Sequence, residues 1–328
     1  MRERLHPLPL LSALVALTVT ALCVALAVGS VPLPPHSVIS VLSGNGDPLA
    51  RTLVLELRLP RAITAFATGG LLALAGALMQ VLLRNPLADP YILGVSGGAA
   101  VGALLSLLLG VAGFWVSGSA FVGALISMLI VFVLAHGRGG WTPTRLLLTG
   151  IVVAFGWGAA ISLLLVLSDD ASLRSMLFWL MGDLSYRSSG WLPLVVIITG
   201  LLICLPFARH LNVLARGETL AEALGVSVRP FTIAIYIAAS LFTAVAVTEA
   251  GAIGFVGLVV PHMLRLISGS DHRTLLPGAV LLGGSLLMLA DTLARSVLAP
   301  QQLPVGVVTA AIGVPLFLYL LNRARGPL

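Results

Sequence analysis

The chain contains no lysine and two cysteines, and only 9% of its 328 residues are charged. All 18 basic residues are arginine, which reflects base composition rather than chemistry. The two cysteines, Cys23 and Cys204, lie inside apolar runs and read as structural thiols, not a disulfide or metal pair. No G-x-x-x-x-G-K-[ST] run occurs, so the chain has no P-loop for a nucleotide. It also lacks a His/Cys/Asp/Glu cluster at metal-ligand spacing, a nucleophile elbow and a pair of catalytic carboxylates; His262 and His272 read as interfacial. Acids inside the apolar runs are scarce as well: Glu249 and Asp291 lie toward span ends, with Asp291 four residues before Arg295 on one helical face.

What is present is apolar sequence. Hydrophobic residues make up 59% of the chain, and the mean hydropathy is +1.10. No soluble core of this length hides that much apolar surface, so the solvent is lipid. The chain reads as all-α, a single polytopic membrane domain over 1–328 with ten candidate transmembrane helices. Their ranges are 8–29, 61–83, 91–110, 117–136, 144–167, 190–208, 231–249, 251–268, 275–295 and 305–322. The first run, after Met1-Arg-Glu-Arg, is longer than a secretory signal core and is expected to be a retained span. An even count puts both termini on one side. With cytoplasmic termini, 12 arginines fall inside (2, 4, 84, 138, 145, 209, 216, 229, 265, 273, 323, 325) and six outside (51, 58, 61, 174, 187, 295), as positive-inside bias requires. The pI near 10.3 therefore reports membrane orientation, and no nucleic-acid partner is expected.

Two outer segments, Val31–Pro60 and Ser168–Gly190, are longer than simple connectors, and the second carries an apolar stretch expected to lie at the outer interface. Trp115, Trp179 and Trp191 map near the outer surface and Trp141 near the inner one, as an aromatic belt would; Trp157 falls near mid-span. Gly94, Gly98 and Gly102 form a small-xxx-small ridge, continued by Gly69, Gly76, Gly251, Gly254, Gly257, Gly306 and Gly313, which reads as close helix packing.

One polar island interrupts the second half, Arg209–Pro230. Leu211–Arg216 can form a short helix, Gly217 breaks it, Glu218–Leu224 forms a second with acid in its first turn, and Gly225 sits where a helix ends. Leu220, Ala223 and Leu224 share one face, with Glu218 and Glu222 off it. Such a pair either docks a soluble partner or merely joins two spans, and spacing alone leaves both open.

Several ordered motifs from about residue 55 onward resemble the FecCD permease family. They are RLPR (58–61), GGLLALAGALMQ (69–80), RNPLADP (84–90), LGVSGGAAVGA (93–103), FWLMGDL (178–184), GE-x3-A-x-x-LG (217–225), GFVGLVVPH-x-x-R (254–265), DHR-x-LLPG (271–278), LAD-x-x-AR (289–295) and LPVGVVTA-x-IG-x-P (303–315). Members are membrane subunits of ABC importers for ferric siderophores, haem and cobalamin. The resemblance implies a type II importer permease fold of ten helices per subunit, a homodimer with its pathway at the dimer interface, lined by spans 5 and 10, and location in the bacterial inner membrane. It implies two separate ATPase subunits that carry the ATP and Mg, a periplasmic binding protein that delivers substrate, and no catalysis or bound cofactor in this chain. It makes the island the coupling element (Arg216, Gly217, Glu218, Leu220, Glu222, Leu224, Gly225). It places the inner gate at RNPLADP and WTPTR (Asn85, Leu87, Pro143, Thr144). Binding-protein docking is expected at Arg58, Arg61 and Arg295, whose outer placement runs against the positive-inside bias. The alternative from another class is a stand-alone ion-coupled transporter, disfavoured by the scarcity of mid-membrane acids.

Overall fold

The computed structural model describes residues 7–136, 142–184 and 190–323, and within them the regular structure is all helical, with no strand. Helix α1 (Pro7–Ala27) is followed by short α2 (Pro35–Leu42) and α3 (Pro48–Arg51), then by a π-helical turn, Thr52–Arg58, that runs directly into α4 (Leu59–Leu82). After α5 (Val95–Leu108), α6 (Phe114–Ala135) and α7 (Pro143–Leu167) comes the short α8 (Asp170–Leu180). Helix α9 (Trp191–Cys204) leads through a 3-10 turn to α10 (Ala208–Leu214) and then α11 (Glu218–Ala223). The chain ends with α12 (Val228–Ala250), α13 (Val256–Ser268), α14 (His272–Ser296) and α15 (Val305–Arg323). Helix starts carry their own chemistry. Proline stands at the first position of α2, α3 and α7, where its missing N–H is no loss. Asp47, Thr142, Asp169 and Asp271 accept the first free backbone amides of α3, α7, α8 and α14.

Each of the ten expected spans contains a helix, but their lengths divide them. Seven helical runs are long and apolar enough to cross a membrane; α5, α13 and the apolar part of α15, Val305–Leu320, are shorter. At 1.5 Å per residue the 13 residues of α13 reach only about 20 Å. The expected span 251–268 is therefore helical only in part: Gly251 and Phe255 both take positive φ, and the helix starts only at Val256. Glycine-rich backbone at membrane depth is tolerated here because protein surrounds it, with Ile253 buried and its N–H donating to the Tyr91 hydroxyl at 3.0 Å.

Other expectations need correction. The outer segment before residue 60 is not all loop: helix runs continuously from Pro48 to Leu82. The first half of the polar island also continues the preceding span, as one helical run from Trp191 to Leu214. Trp115 and Trp191 are exposed as a belt would be, yet Trp179 is only 4% exposed, because α8 packs inward and its Trp179 carbonyl lies against Gly251. Trp141 lies outside the described residues. Trp157 joins three helices. Its Nε1 donates to Ser127 Oγ at 2.8 Å, and Ser127 donates to the Gly94 carbonyl at 2.8 Å, stitching α7 to α6 and the start of α5.

Helix α4 is the centre of the bundle, buried on nearly every side between α9, α12, α13 and α14. Small residues make this possible. A Cβ at Gly76 would stand 1.9 Å from the Gly257 carbonyl oxygen, and one at Gly69 would stand 2.3 Å from that of Gly283. The α5–α6 contact uses Gly98, Gly102 and Gly123 in the same way. Gly94 does not belong to that ridge. It turns the chain into α5 at φ 70°, a conformation that favours glycine. Gly254 has open space around it and packs against nothing.

Candidate coupling, gating and docking surfaces

The two ends of α4 define two sites about 36 Å apart, since 24 residues of helix separate them. Arg58 and Arg61 stand at its start; Arg84 and the RNPLADP turn follow its end.

At the first end, Asp291 of α14 is the hub. It is 2% exposed and accepts both Nε (3.0 Å to each oxygen) and Nη2 (2.8 Å) of Arg61, while Arg295, one turn further along α14, lies 3.0 Å from its other oxygen. Arg58 turns instead to the end of α1, where it donates to the carbonyls of Leu26 (2.7 Å), Ala27 (2.9 Å) and Val31. Arg295 Nη2 adds the Ala25 carbonyl at 3.3 Å. Guanidinium groups at a helix C-terminus satisfy the last carbonyls and complement the dipole. The three arginines expected to act together are thus close in space: a Cβ on Gly29 would touch both Arg58 and Arg295. Two of these expected docking residues are set deep in the chain. Arg58 and Arg295 are 5% and 6% exposed, and the π-helical turn before Arg58 brings that side chain inward, where it caps a helix. Arg61 retains a path outward, donating to Gln302 at 3.1 Å.

At the second end the island has the anticipated form. Helices α10 and α11 are separated by Gly217 at φ 123°, and α11 ends on Gly225 at φ 79°. The Gly225 and Val226 amides return to the carbonyls of Glu222 and Ala221, at 2.9 Å each. Ala221 is buried, whereas Leu220 is 42% and Leu224 61% exposed. Arg216 and Glu222 are exposed beside them. The island thus presents an exposed apolar pair flanked by charge.

The island is fixed to the bundle at two points. Asn212 of α10 donates from Nδ2 to Asp271 at 2.8 Å, and its Oδ1 accepts the His272 amide at 2.9 Å. The Asn212 bond holds the Asp271 carboxyl below the usual carboxylate range. Arg84 Nη2 pairs with Glu218 Oε1 at 2.9 Å. The sequence offered no signal for either contact, because the partners are 59 and 134 residues apart.

The two expected gate turns lie near the island by different routes, the first through the Arg84–Glu218 pair and the second along a cleft. In RNPLADP, Asn85 Oδ1 accepts the Leu87 amide at 2.9 Å, a turn closed by its own side chain, and Arg84 takes a left-handed φ of 48°. Asn85 is exposed and Leu87 half-buried. Pro143 and Thr144 open α7, capped by Thr142, whose Oγ1 accepts the Arg145 amide at 3.3 Å. One open cleft is lined by Leu82 at the end of α4, Thr142 and Pro143 of the second turn, and Glu218, Glu222 and Arg229 of the island. Deeper, Gln80 ties the first turn to α13: its Nε2 donates to the Ala88 and Leu258 carbonyls, and its Oε1 accepts from Arg265.

A bundle of long apolar helices with a charged hub at one end of α4 and an exposed two-helix island at the other is the architecture of a polytopic membrane protein. The chain belongs to the FecCD transport family, whose model matches residues 17–323. Among its relatives, the uncharacterised ABC transporter permease YvrB of Bacillus subtilis is 41% identical over 86% of this chain and 82% of its own. The cobalamin import system permease BtuC of Halobacterium salinarum is 43% identical over 83% and 74%. The vitamin B12 import system permease BtuC of Escherichia coli is 40% identical over 85% and 86%. A solved structure described as an inward-facing conformation of a metal-chelate type ABC transporter superposes with a TM-score of 0.84 at 32% identity, covering 95% of this chain and 98% of that one. The chain is the membrane permease subunit of an ABC importer and not an enzyme, and the stand-alone ion-coupled alternative falls.

Proposed function

We propose that this permease carries a bulky metal chelate, of the class spanned by cobalamin, haem and ferric siderophores, inward across a bacterial inner membrane. The observation that carries the substrate class is the 40–43% identity, over more than four-fifths of the chain, to permeases named for cobalamin and vitamin B12 import. In this reading the unit is a homodimer. Its support is α7, the least buried of the seven full-length spans. Phe155 and Val166 of α7 are exposed, and Gly156 and Gly158 have open space where a second backbone could approach. Exposed Val307, Ile312, Leu318 and Tyr319 give α15 a similar face. Two such faces around a symmetry axis would line a wide apolar pathway, which suits a cargo too large for a tight polar site.

The island, from Arg216 through Gly225, is assigned to ATPase docking, because Leu220 and Leu224 present apolar surface that nothing in the chain covers. ATP and Mg belong to that partner. Asn85, Leu87, Pro143 and Thr144 are assigned to the inner gate; Pro143 lines the cleft shared with Glu218 and Glu222, and Arg84 beside Asn85 pairs with Glu218. At the other end, three guanidiniums against one carboxylate leave a net positive charge that would attract an acidic binding protein, with Arg61 the member nearest solvent. The orientation keeps both termini cytoplasmic.

The test is reconstitution of the chain with its ATPase and binding protein in liposomes, followed by uptake of labelled cobalamin, haem and a ferric siderophore with and without ATP. ATP-dependent uptake of one chelate is expected. Uptake that persists on a proton gradient without ATP, or transport of none of the three, contradicts the reading.

A further inference from the structure

At the start of the island, ahead of the residues assigned to coupling, lies a further cleft. It is open, about 380 Å³ in volume, and lined by Leu205, Pro206, Ala208, Arg209 and Arg273. The walls come from two places: the 3-10 turn and first residues of α10 at the end of the α9 span, and the first turn of α14. Arg209 and Arg273 are both exposed, and among the described residues neither guanidinium has a carboxylate within ion-pair distance. The nearest acid in sequence to Arg273, Asp271, accepts its side-chain hydrogen bond from Asn212 Nδ2 at 2.8 Å; it meets Arg273 through the backbone amide at 3.1 Å and at longer range through charge, without an ion-pair contact.

The apolar side of the cleft is continuous with lipid-facing surface. On the same helical run Ile198, Leu202 and Ile203 are all exposed, and Leu205 and Phe207 extend that face to the level of the arginines. Phe207, His210 and Phe231 cluster there with ring centroids 5.8–6.0 Å apart. Aromatic and basic side chains gathered where a span leaves the hydrocarbon mark the headgroup level of a bilayer. Two unpaired guanidiniums above an acyl-chain surface complement one ligand chemistry, a phosphodiester whose tails lie along α9.

We propose that the cleft is a binding site for the headgroup of an anionic phospholipid of the inner leaflet, held by Arg209 and Arg273. The proposal rests on the orientation given above, which puts the island on the cytoplasmic side. It is independent of which chelate is carried. A lipid seated there would bridge the base of α10 and the start of α14, the two elements that Asn212 also joins.

The test is native mass spectrometry of the purified full chain, with phosphatidylglycerol as the probe and phosphatidylcholine as the neutral control. Wild type should retain phosphatidylglycerol in preference to phosphatidylcholine. The double variant Arg209→Gln/Arg273→Gln should bind it roughly thirty-fold more weakly, as expected for removing two basic groups near an anionic surface. The variant Arg51→Gln/Arg174→Gln, at exposed arginines assigned to the other face, should bind as wild type does. Equal retention by wild type and the 209/273 variant overturns the proposal. So does displacement of the lipid by millimolar inorganic phosphate, which would make the site one for the free anion. If the 209/273 variant keeps its lipid and instead loses the ATPase in pull-down, the surface belongs to that protein and the proposal fails. Each of these measurements is made without transport, so it stands apart from failure of the functional assignment.

Discussion

Arg84 and Glu218, 134 residues apart in the chain, meet at 2.9 Å and join the turn after α4 to the first residue of α11. The contact connects a candidate gate with the candidate coupling helix through two exposed side chains. Pairs of this kind contribute only ~0–1 kcal/mol to stability, so the pair is free to break and reform as the island moves. Arg84→Glu should slow ATP-driven uptake several-fold, and the exchanged pair Arg84→Glu/Glu218→Arg should restore most of it. Thermal stability in detergent should be nearly unchanged in both. Uptake in the exchanged pair no better than in Arg84→Glu alone would show that the contact is not used in transport.

Gate assignment is tested by geometry across the proposed dimer axis. Cysteine at Asn85 or at Thr144, both exposed, in a chain with Cys23 and Cys204 replaced by serine or alanine, should cross-link between subunits. The yield should change between nucleotide-free and ATP-bound complexes. A yield indifferent to nucleotide would assign these turns a static role.

Asp291 holds the outer hub together, and its loss leaves two guanidiniums facing each other. Breaking a buried pair by removing one partner costs about 3–5 kcal/mol. Asp291→Asn should therefore lower the unfolding temperature well beyond what Arg61→Gln does, since Arg61 keeps some solvent. Docking should respond differently. Association with the binding protein should weaken as salt rises, and Arg61→Gln should slow it several-fold. Arg58→Gln, which uncaps the α1 carbonyls, should chiefly lower stability. Wild-type association by Arg61→Gln at low salt would remove the arginine hub from the docking surface.

Asp89, in the turn between α4 and α5, gives a pH dependence of definite sign. Burial raises its carboxyl to about 6, opposed by the hydrogen bond from the Tyr91 amide. The fold thus binds this proton more tightly than the unfolded chain does, so its contribution improves as pH falls through 6 and levels off below about 4. Above pH 6 the buried carboxylate is a liability. Asp89→Asn, which can still accept the Tyr91 amide, should be more stable than wild type at pH 8 and no different at pH 4. A stability gap independent of pH would assign the aspartate a different role.

The fold was legible in the sequence where the signal was local. Apolar run length marked where the ten spans fall, and glycine at 217 and 225 with acid at Glu218 outlined the two island helices. What escaped depends on contacts distant in the chain or on backbone geometry that composition does not encode. Apolar character alone could not show that 251–254 leaves the helix, because glycine and alanine fit either state. Charge alone could not show how deeply Arg58 and Arg295 are set, since nothing in a linear pattern distinguishes an arginine facing solvent from one capping the end of α1. The pair Asp291–Arg295 was visible at four-residue spacing; its third partner, Arg61, lies 230 residues from the aspartate and was expected outward.

Transmission of ATPase movement through the island is the central claim. Leu220 and Leu224 are exposed, so replacing both by Asp should change chain stability by no more than about 1 kcal/mol, roughly 0.5 kcal/mol for each. The decisive measurement is uptake and ATP hydrolysis recorded together in liposomes containing wild type or the Leu220→Asp/Leu224→Asp permease with its ATPase and binding protein. Loss of uptake with the unfolding temperature of the permease preserved, and with any remaining hydrolysis no longer stimulated by loaded binding protein, is the predicted result. Uptake at the wild-type rate with both leucines replaced would contradict it.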